Sequence, residues 1–154
     1  GRKPNVVNTL DIIAEQAEKN LGRLLEKYER IKEEEVRWQE ANTEDADVIL
    51  VGYGTSARVA RSAMELARKE GLKVGLFRPI TLFPFPEKQL QALAKPDRSF
   101  VTVEMSAGQL IEDVRLAVNG MSPVYLSNRL GGMVPTPEDV LSKIRDILEG
   151  RGKA

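Results

Sequence analysis

From Asp47 onward the sequence alternates short apolar runs with segments of helical periodicity, and few architectures accept that pattern. Val48-Ile49-Leu50-Val51 contains no polar position, so it predicts a strand buried on both faces. Gly52-Tyr53-Gly54-Thr55-Ser56 then turns that strand into a helix reaching about Glu70. Residues 73–77 predict a second strand, followed by Arg78-Pro79 and a turn rich in aromatics and proline. Pro86 opens a helix at its first position, where its missing donor does no harm, and residues 89–93 continue it. A strand over 99–104, a helix over 108–118, a strand over 123–127 and a helix over 137–149 complete the series, with Gly150 as the last stop. Strand-helix-strand units of this kind form parallel sheets with right-handed crossovers, which predicts an α/β fold, a three-layer α/β/α sandwich.

Ahead of this region, apolar residues recur at Leu10, Ile13, Ala17, Leu21, Leu24, Tyr28 and Ile31, so residues 7–35 predict one long amphipathic helix. Its opposite face is charged, through Glu18, Lys19, Arg23, Glu26, Lys27, Glu29 and Arg30. Packing on its own domain or on a neighbour is one reading of the apolar stripe; a coiled coil joining a homodimer is the other. Val36 and Trp38 alternate with Arg37 and Gln39, which suggests an edge strand over 36–40 before a turn at residues 42–45. The expected division is therefore residues 1–42, connector helix and edge strand, and residues 43–150, the α/β domain.

Composition removes several kinds of chemistry. A chain of 154 residues, 42% hydrophobic and 30% charged, is the size of one domain with one core. Its 23 lysines and arginines balance 23 aspartates and glutamates, so no overall field draws it to nucleic acid or to an anionic membrane. Cysteine and histidine are both absent, which removes disulfides, thiolate nucleophiles, cluster ligation, imidazole bases and the usual zinc ligands, and assigns any redox or metal chemistry to another chain. No apolar run approaches the roughly 20 residues of a membrane span, and Gly1-Arg2-Lys3-Pro4 lacks the apolar stretch of a signal peptide, so a cytoplasmic location is expected. The initial glycine, where a natural start has methionine, suggests a piece of something longer.

In an open parallel sheet, ligands and partners meet the loops at the carboxyl ends of the strands. Four such loops can be read, over residues 52–56, 78–85, 104–109 and 128–137, and they supply the candidate interface or site-edge residues: Tyr53, Thr55, Ser56, Arg78, Phe83, Phe85, Glu104, Gln109, Arg129, Gly131 and Gly132. Gly52-Tyr53-Gly54-Thr55-Ser56-Ala57 satisfies the loose dinucleotide fingerprint, although two glycines can equally serve a tight turn. At the end of the next strand NAD binding wants an acidic residue; Arg78 stands there instead and would tolerate only the phosphorylated cofactor. Glu104 and Arg129, charged groups at the ends of buried strands, need compensation and are expected to pair with each other or with a partner. A lone carboxylate without a nucleophile or base makes no mechanism, so no catalytic, cofactor-binding or metal-binding residue is assigned. Gly131-Gly132 and Pro135-Thr136-Pro137 close a loop and start a helix with Thr136 as its cap. Tyr53, Phe83, Phe85, Met133 and Val134 are expected to form an exposed apolar patch on these loops.

Four stretches in order carry a resemblance. They are Asp45 through Thr55, Arg78-Pro79-Ile80-Thr81-Leu82-Phe83-Pro84-Phe85-Pro86, Glu104-Met105-Ser106-Ala107-Gly108-Gln109-Leu110-Ile111-Glu112-Asp113-Val114-Arg115, and Arg129-Leu130-Gly131-Gly132-Met133-Val134-Pro135-Thr136-Pro137-Glu138. Over about Glu44 to Leu148 the chain resembles the second domain of 2-oxoacid:ferredoxin oxidoreductase α subunits. The resemblance implies a transketolase C-terminal type of fold with an antiparallel first strand. It implies that thiamine diphosphate, magnesium, coenzyme A and iron-sulfur clusters are held by other domains and subunits of the complex, with ferredoxin as electron acceptor, and that this domain serves subunit contact. The wording of residues 105–109 and 116–120 resembles the 2-oxoisovalerate branch, with pyruvate still open. A freestanding nucleotide-binding or regulatory α/β module and a helix-mediated scaffold over residues 7–35 are the competing readings.

Overall fold

The computed structural model describes residues 3–5, 10 and 12–152, and the chain divides into two compact units between Glu35 and Val36. The first unit holds one helix, α1 (Ala14–Glu34). Ala17, Leu21, Leu24, Tyr28 and Ile31 fall on one stripe of it at spacings of three and four, yet no residue of the helix is buried. The helix starts later than its periodicity suggested. Ile13 stands in an extended conformation as the N-cap (φ −88°, ψ 116°) and offers no side-chain oxygen to the free amides. Helical geometry begins at Ala14, the residue type best suited to it, with Glu15 placed favourably in the first turn. Leu10 and Ile13 thus lie outside the helix, and residues 7–9 and 11 of the expected element fall outside the described residues.

The second unit is the sandwich expected from the sequence. Its elements are β1 (Trp38–Ala41), β2 (Val48–Val51), α2 (Gly54–Lys69), β3 (Val74–Pro79), α3 (Glu87–Leu93), β4 (Ser99–Glu104), α4 (Leu110–Val118), β5 (Val124–Asn128) and α5 (Pro137–Leu148). The strands lie in the order β1-β3-β2-β4-β5. β1 runs antiparallel to β3, with Trp38 opposite Pro79, and the remaining pairs are parallel. The edge strand therefore belongs with the sheet, not with the helix before it.

The boundaries that moved have local causes. β3 continues to Pro79, where a turn was expected, because β1 pairs along its whole length. Val36 and Arg37 stay out of β1: the Arg37 carbonyl instead accepts from the Ile80 and Thr81 amides at 2.9 and 3.2 Å. Pro86 is the N-cap of α3, one position earlier than expected, its carbonyl accepting from the Leu90 amide at 3.1 Å.

Strand alternation sorts the core into two layers. Val48, Leu50, Val74, Leu76, Val101 and Val103 face α2 and α5, packing on Ala60, Ala63, Met64 and Ala67 from the former and on Val140, Leu141, Ile144 and Ile147 from the latter. Ile49, Val51, Phe77, Phe100 and Val124 face the other way, against Leu90 of α3 and Leu110, Ile111, Val114, Ala117 and Val118 of α4. Fully burying each large aliphatic side chain contributes about 1.5–3 kcal/mol, so β2, with no exposed residue, is the most heavily stabilised strand per length. Among the described residues no helix is long and apolar enough to cross a membrane.

At the amino edge of the sheet, the connection from β1 to β2 crosses over the start of β3. Two arginines fasten it. Arg68 donates to the Val74 carbonyl (2.6 Å), the Asn42 carbonyl (2.9 Å) and the Asp45 carboxylate (2.6 Å), and this guanidinium holds the Asp45 carboxyl below the usual carboxylate range. Arg98, only 5% exposed, donates to the carbonyls of Ala46, Leu93 and Glu44 at 2.8, 3.0 and 3.3 Å. The crossing is close enough that a Cβ at Gly75 would lie 2.7 Å from the Asn42 carbonyl oxygen. Gly75→Ala is therefore expected to destabilise the protein by about 1–3 kcal/mol, as overpacking does. A urea titration should show a lower midpoint at unchanged slope; an unshifted midpoint would mean that the loop yields freely.

Candidate functional site

β2 is central, and the chain leaves it for β3 on one side and later for β4 on the other. Between the carboxyl ends of β2 and β4 lies the point where strand order reverses, the place where open α/β sheets bind ligands. A hollow of about 200 Å3 opens there, lined by Tyr53, Gly54, Thr55 and Ser56 from one strand end and Val103, Glu104, Met105 and Ser106 from the other. The glycines before it have steric reasons to be present. A Cβ at Gly52 would sit 3.3 Å from the Val103 carbonyl oxygen and 3.4 Å from the Ala57 nitrogen, and Gly54 enters α2 with φ +55°.

Glu104 sets the geometry of this edge. It ends β4 and is 3% exposed. One carboxylate oxygen accepts from the Ser106 hydroxyl (2.6 Å) and from the amides of Gln109 (2.8 Å) and Leu110 (3.2 Å); the other accepts from the Ile111 amide (2.9 Å). These amides open α4 and have no partner within the helix, so a buried anion among them is compensated by hydrogen bonds and by the helix dipole. Gly108, with φ +104°, allows the loop to fold back over the carboxylate, and Asn128 Nδ2 donates to the Ser106 carbonyl at 2.7 Å to hold it there. The expected pairing of Glu104 with Arg129 does not occur. Arg129 is exposed and reaches Asp139 at 3.3 Å, while Glu104 is fully engaged by its own chain. With both oxygens occupied and no nucleophile beside it, Glu104 holds structure and is not poised as a base.

The other expected residues distribute around this centre. Tyr53, Thr55 and Ser56 share the hollow with Glu104, whereas Gln109 caps α4 beside it with its side chain exposed. Arg78 lies on β3, on the far side of α2's first turn. In the loop after β3 the two phenylalanines part company: Phe83 is 63% exposed, but Phe85 is half-buried against the core layer of Ile49, Phe77 and Leu90. The expected patch thus loses Phe85. The cause lies in the turn between them, which the Thr81 hydroxyl holds by donating to the Pro84 carbonyl at 2.8 Å. Gly131 and Gly132 adopt φ +62° and +84° in the loop before α5, leaving Met133 and Val134 exposed. Thr136 caps α5 as expected, and Asp139 completes a reciprocal capping box. The Thr136 amide and hydroxyl, with Arg129 adding to them, hold the Asp139 carboxyl below its usual range.

Sequence reasoning missed Arg98 and Arg68, the backbone clasps of the amino edge, and it missed Arg58 and Arg61 near Arg78. The last two carried a signal: three residues apart on a helix, they share a face. Among the described residues no group of carboxylates is arranged to hold a metal ion. Glu104→Gln keeps the side chain's length but offers an amide donor to the helix amides. It is expected to cost about 1.5–3 kcal/mol and to speed hydrogen exchange at Gln109 to Ile111. Unchanged exchange at those three amides would show that the carboxylate does not hold the helix start.

Comparison with known proteins gives a consistent result. The model of pyruvate:ferredoxin oxidoreductase core domain II matches residues 46–140. The chain is 48% identical over 143 residues to ketoisovalerate oxidoreductase subunit VorB of Methanothermobacter thermautotrophicus, covering 93% of this chain and 40% of that protein. It is 34% identical over 127 residues to the 2-oxoglutarate synthase subunit KorA of Methanothermobacter marburgensis, covering 82% of this chain and 34% of the relative. The chain thus spans well under half the length of these curated relatives. In fold it matches the 2-oxoglutarate:ferredoxin oxidoreductase from Magnetococcus marinus, a structure with 2-oxoglutarate, coenzyme A and succinyl-CoA bound, at a TM-score of 0.70 and 20% identity over 88% of this chain and 24% of that one. A split-gene transketolase, an inactive tetramer, matches at a TM-score of 0.62 and 21% identity over 73% of this chain and 41% of that one. The transketolase-like fold expected from the sequence is the fold found.

Proposed function

The chain belongs to the pyruvate:ferredoxin oxidoreductase core domain II family, and from that premise we propose that it is a noncatalytic domain of the large subunit of a 2-oxoacid:ferredoxin oxidoreductase, serving subunit assembly. The parent reaction in this reading is the thiamine diphosphate-dependent oxidative decarboxylation of a 2-oxo acid to its acyl-CoA, with electrons passed to ferredoxin. A branched-chain 2-oxo acid is the favoured substrate class, because identity to the ketoisovalerate oxidoreductase subunit is 48% against 34% for the 2-oxoglutarate synthase subunit. This chain's residues do not fit the metal-based cofactors: it has no cysteine or histidine to ligate a cluster, and its buried carboxylate is consumed by α4. The clusters accordingly belong to other subunits, and in this reading other domains and subunits also hold thiamine diphosphate, magnesium and coenzyme A, with α1 as the connector.

The observation that carries this reading is the carboxyl edge itself, which presents Tyr53, Leu82, Leu130, Met133 and Val134 to solvent beside an already satisfied Glu104. An edge with apolar groups to bury and no reactive group to offer suits contact with a neighbouring domain or subunit.

Grafting residues 36–152 into the Methanothermobacter thermautotrophicus subunit, in place of the matching segment, tests the proposal. The assembled chimera should oxidise 2-oxoisovalerate, while the purified 154-residue chain, supplied with every cofactor and a viologen dye, should not. Met133→Ser with Phe83→Ser should lower the yield of assembled complex while changing the stability of this chain by less than about 0.5 kcal/mol. Phe85→Ser should instead destabilise it by more than about 1 kcal/mol. Turnover by the chain alone would sink the noncatalytic assignment, and full assembly of the doubly substituted chimera would sink the interface.

A further inference from the structure

A second hollow, of about 350 Å3, lies between the start of α2 and the end of β3, lined by Gly54, Arg58, Arg61, Ser62, Leu76 and Arg78. Arg58 and Arg61 share a face of α2, and Arg78, two residues after Leu76 on β3, points to the side of the sheet that α2 covers. Three guanidinium groups therefore meet in one concavity, and its lining contains no carboxylate.

Six further arginines of this unit show the contrast. Arg68, Arg115, Arg129, Arg145 and Arg151 each hold a carboxylate, and Arg98 holds three carbonyls. Arg58, Arg61 and Arg78 have no ion-pair partner among the described residues. Arg78 is half-buried, yet its Nη1 reaches only the neutral Gln39 side chain at 3.2 Å, and its Nε is enclosed without an acceptor. An enclosed donor on a charged group without compensation costs stability and is retained where something else satisfies it. Since the chain as a whole is neutral, this positive charge is a local arrangement and not a by-product of a basic protein.

We propose that this hollow binds the phosphate or diphosphate group of a small molecule. Planar guanidinium forks match phosphate oxygens in pairs, and three of them call for more oxygens and more charge than a single carboxylate carries. Ser62 adds a hydroxyl donor at the rim. The hollow is of the size of a small ligand site, and it meets the switch-point hollow only at Gly54. No acidic residue in its lining is available to hold a ribose, so phosphate, and not the nucleoside, is what it recognises. The proposal is independent of the assembly role, because binding is read without activity or partner subunits.

The test is a nuclear magnetic resonance titration of the 154-residue chain with inorganic pyrophosphate at low salt. Saturable shifts are expected at residues 54–62 and 78, with a midpoint of about 1 mM or below. Arg61→Ser and Arg78→Gln should each weaken binding by about tenfold or more, the effect of losing one charge-assisted contact. Arg145→Ser, whose guanidinium is paired with Glu70, should leave it unchanged. The exposed Arg58→Ser and Arg61→Ser changes keep the test valid should Arg78→Gln fail to fold. Absence of saturation by about 10 mM, equal binding by the Arg61→Ser protein, or shifts scattered over the ion-paired arginines would overturn the proposal.

Discussion

The carboxyl edge of the sheet depends on one buried anion. Glu104 stands at the end of a central strand, where an unpaired charge would be costly, and the first turn of α4 brings it three amides and the dipole of a helix start. Strand and helix are thereby fixed to each other through a single side chain. The loop between them, tied by Ser106 and Asn128, has little freedom left, and the switch-point hollow inherits its shape from that bond network. The carboxylate's hydrogen-bonding capacity is thus taken up by its own chain.

How much of this was legible in the sequence depends on what kind of interaction decides each feature. Val48 to Val51 and the strand ending at Glu104 were readable to the residue, because burial on both faces leaves an apolar run with sharp limits. Thr136 was readable as a cap because capping is a matter of residue type and spacing. The partner of Glu104 was not, since backbone amides carry no residue-specific mark and the sequence offered Arg129 as the obvious cation. Phe83 and Phe85 looked alike because sequence spacing says nothing of the turn that separates them. The start of α1 ran late because a periodic apolar pattern continues past the point where helical backbone ends.

The two ends of the sheet therefore differ in character. The amino edge is closed by Arg68 and Arg98, which spend their donors on the protein's own carbonyls and on Asp45. The carboxyl edge keeps several apolar side chains exposed and three of its arginines without an ion-pair partner among the described residues. Groups spent on the protein's own stability thus gather at one edge, and groups left exposed gather at the other.

The position of β1 has a further consequence, for the order of events as the chain folds. β1 precedes every other strand, but its only neighbour in the sheet is β3, with Trp38 opposite Pro79. The connection that brings it there lies across Gly75 and is fastened by Arg68 from the helix between β2 and β3. None of those holds exists until β2, α2 and β3 have formed their unit, and closing so long a loop before then brings an entropic cost with no contact to offset it. Within this sheet the earliest strand in the sequence thus pairs only once two later ones have formed, and the sheet's edge is sealed by a segment that precedes its partner in the chain.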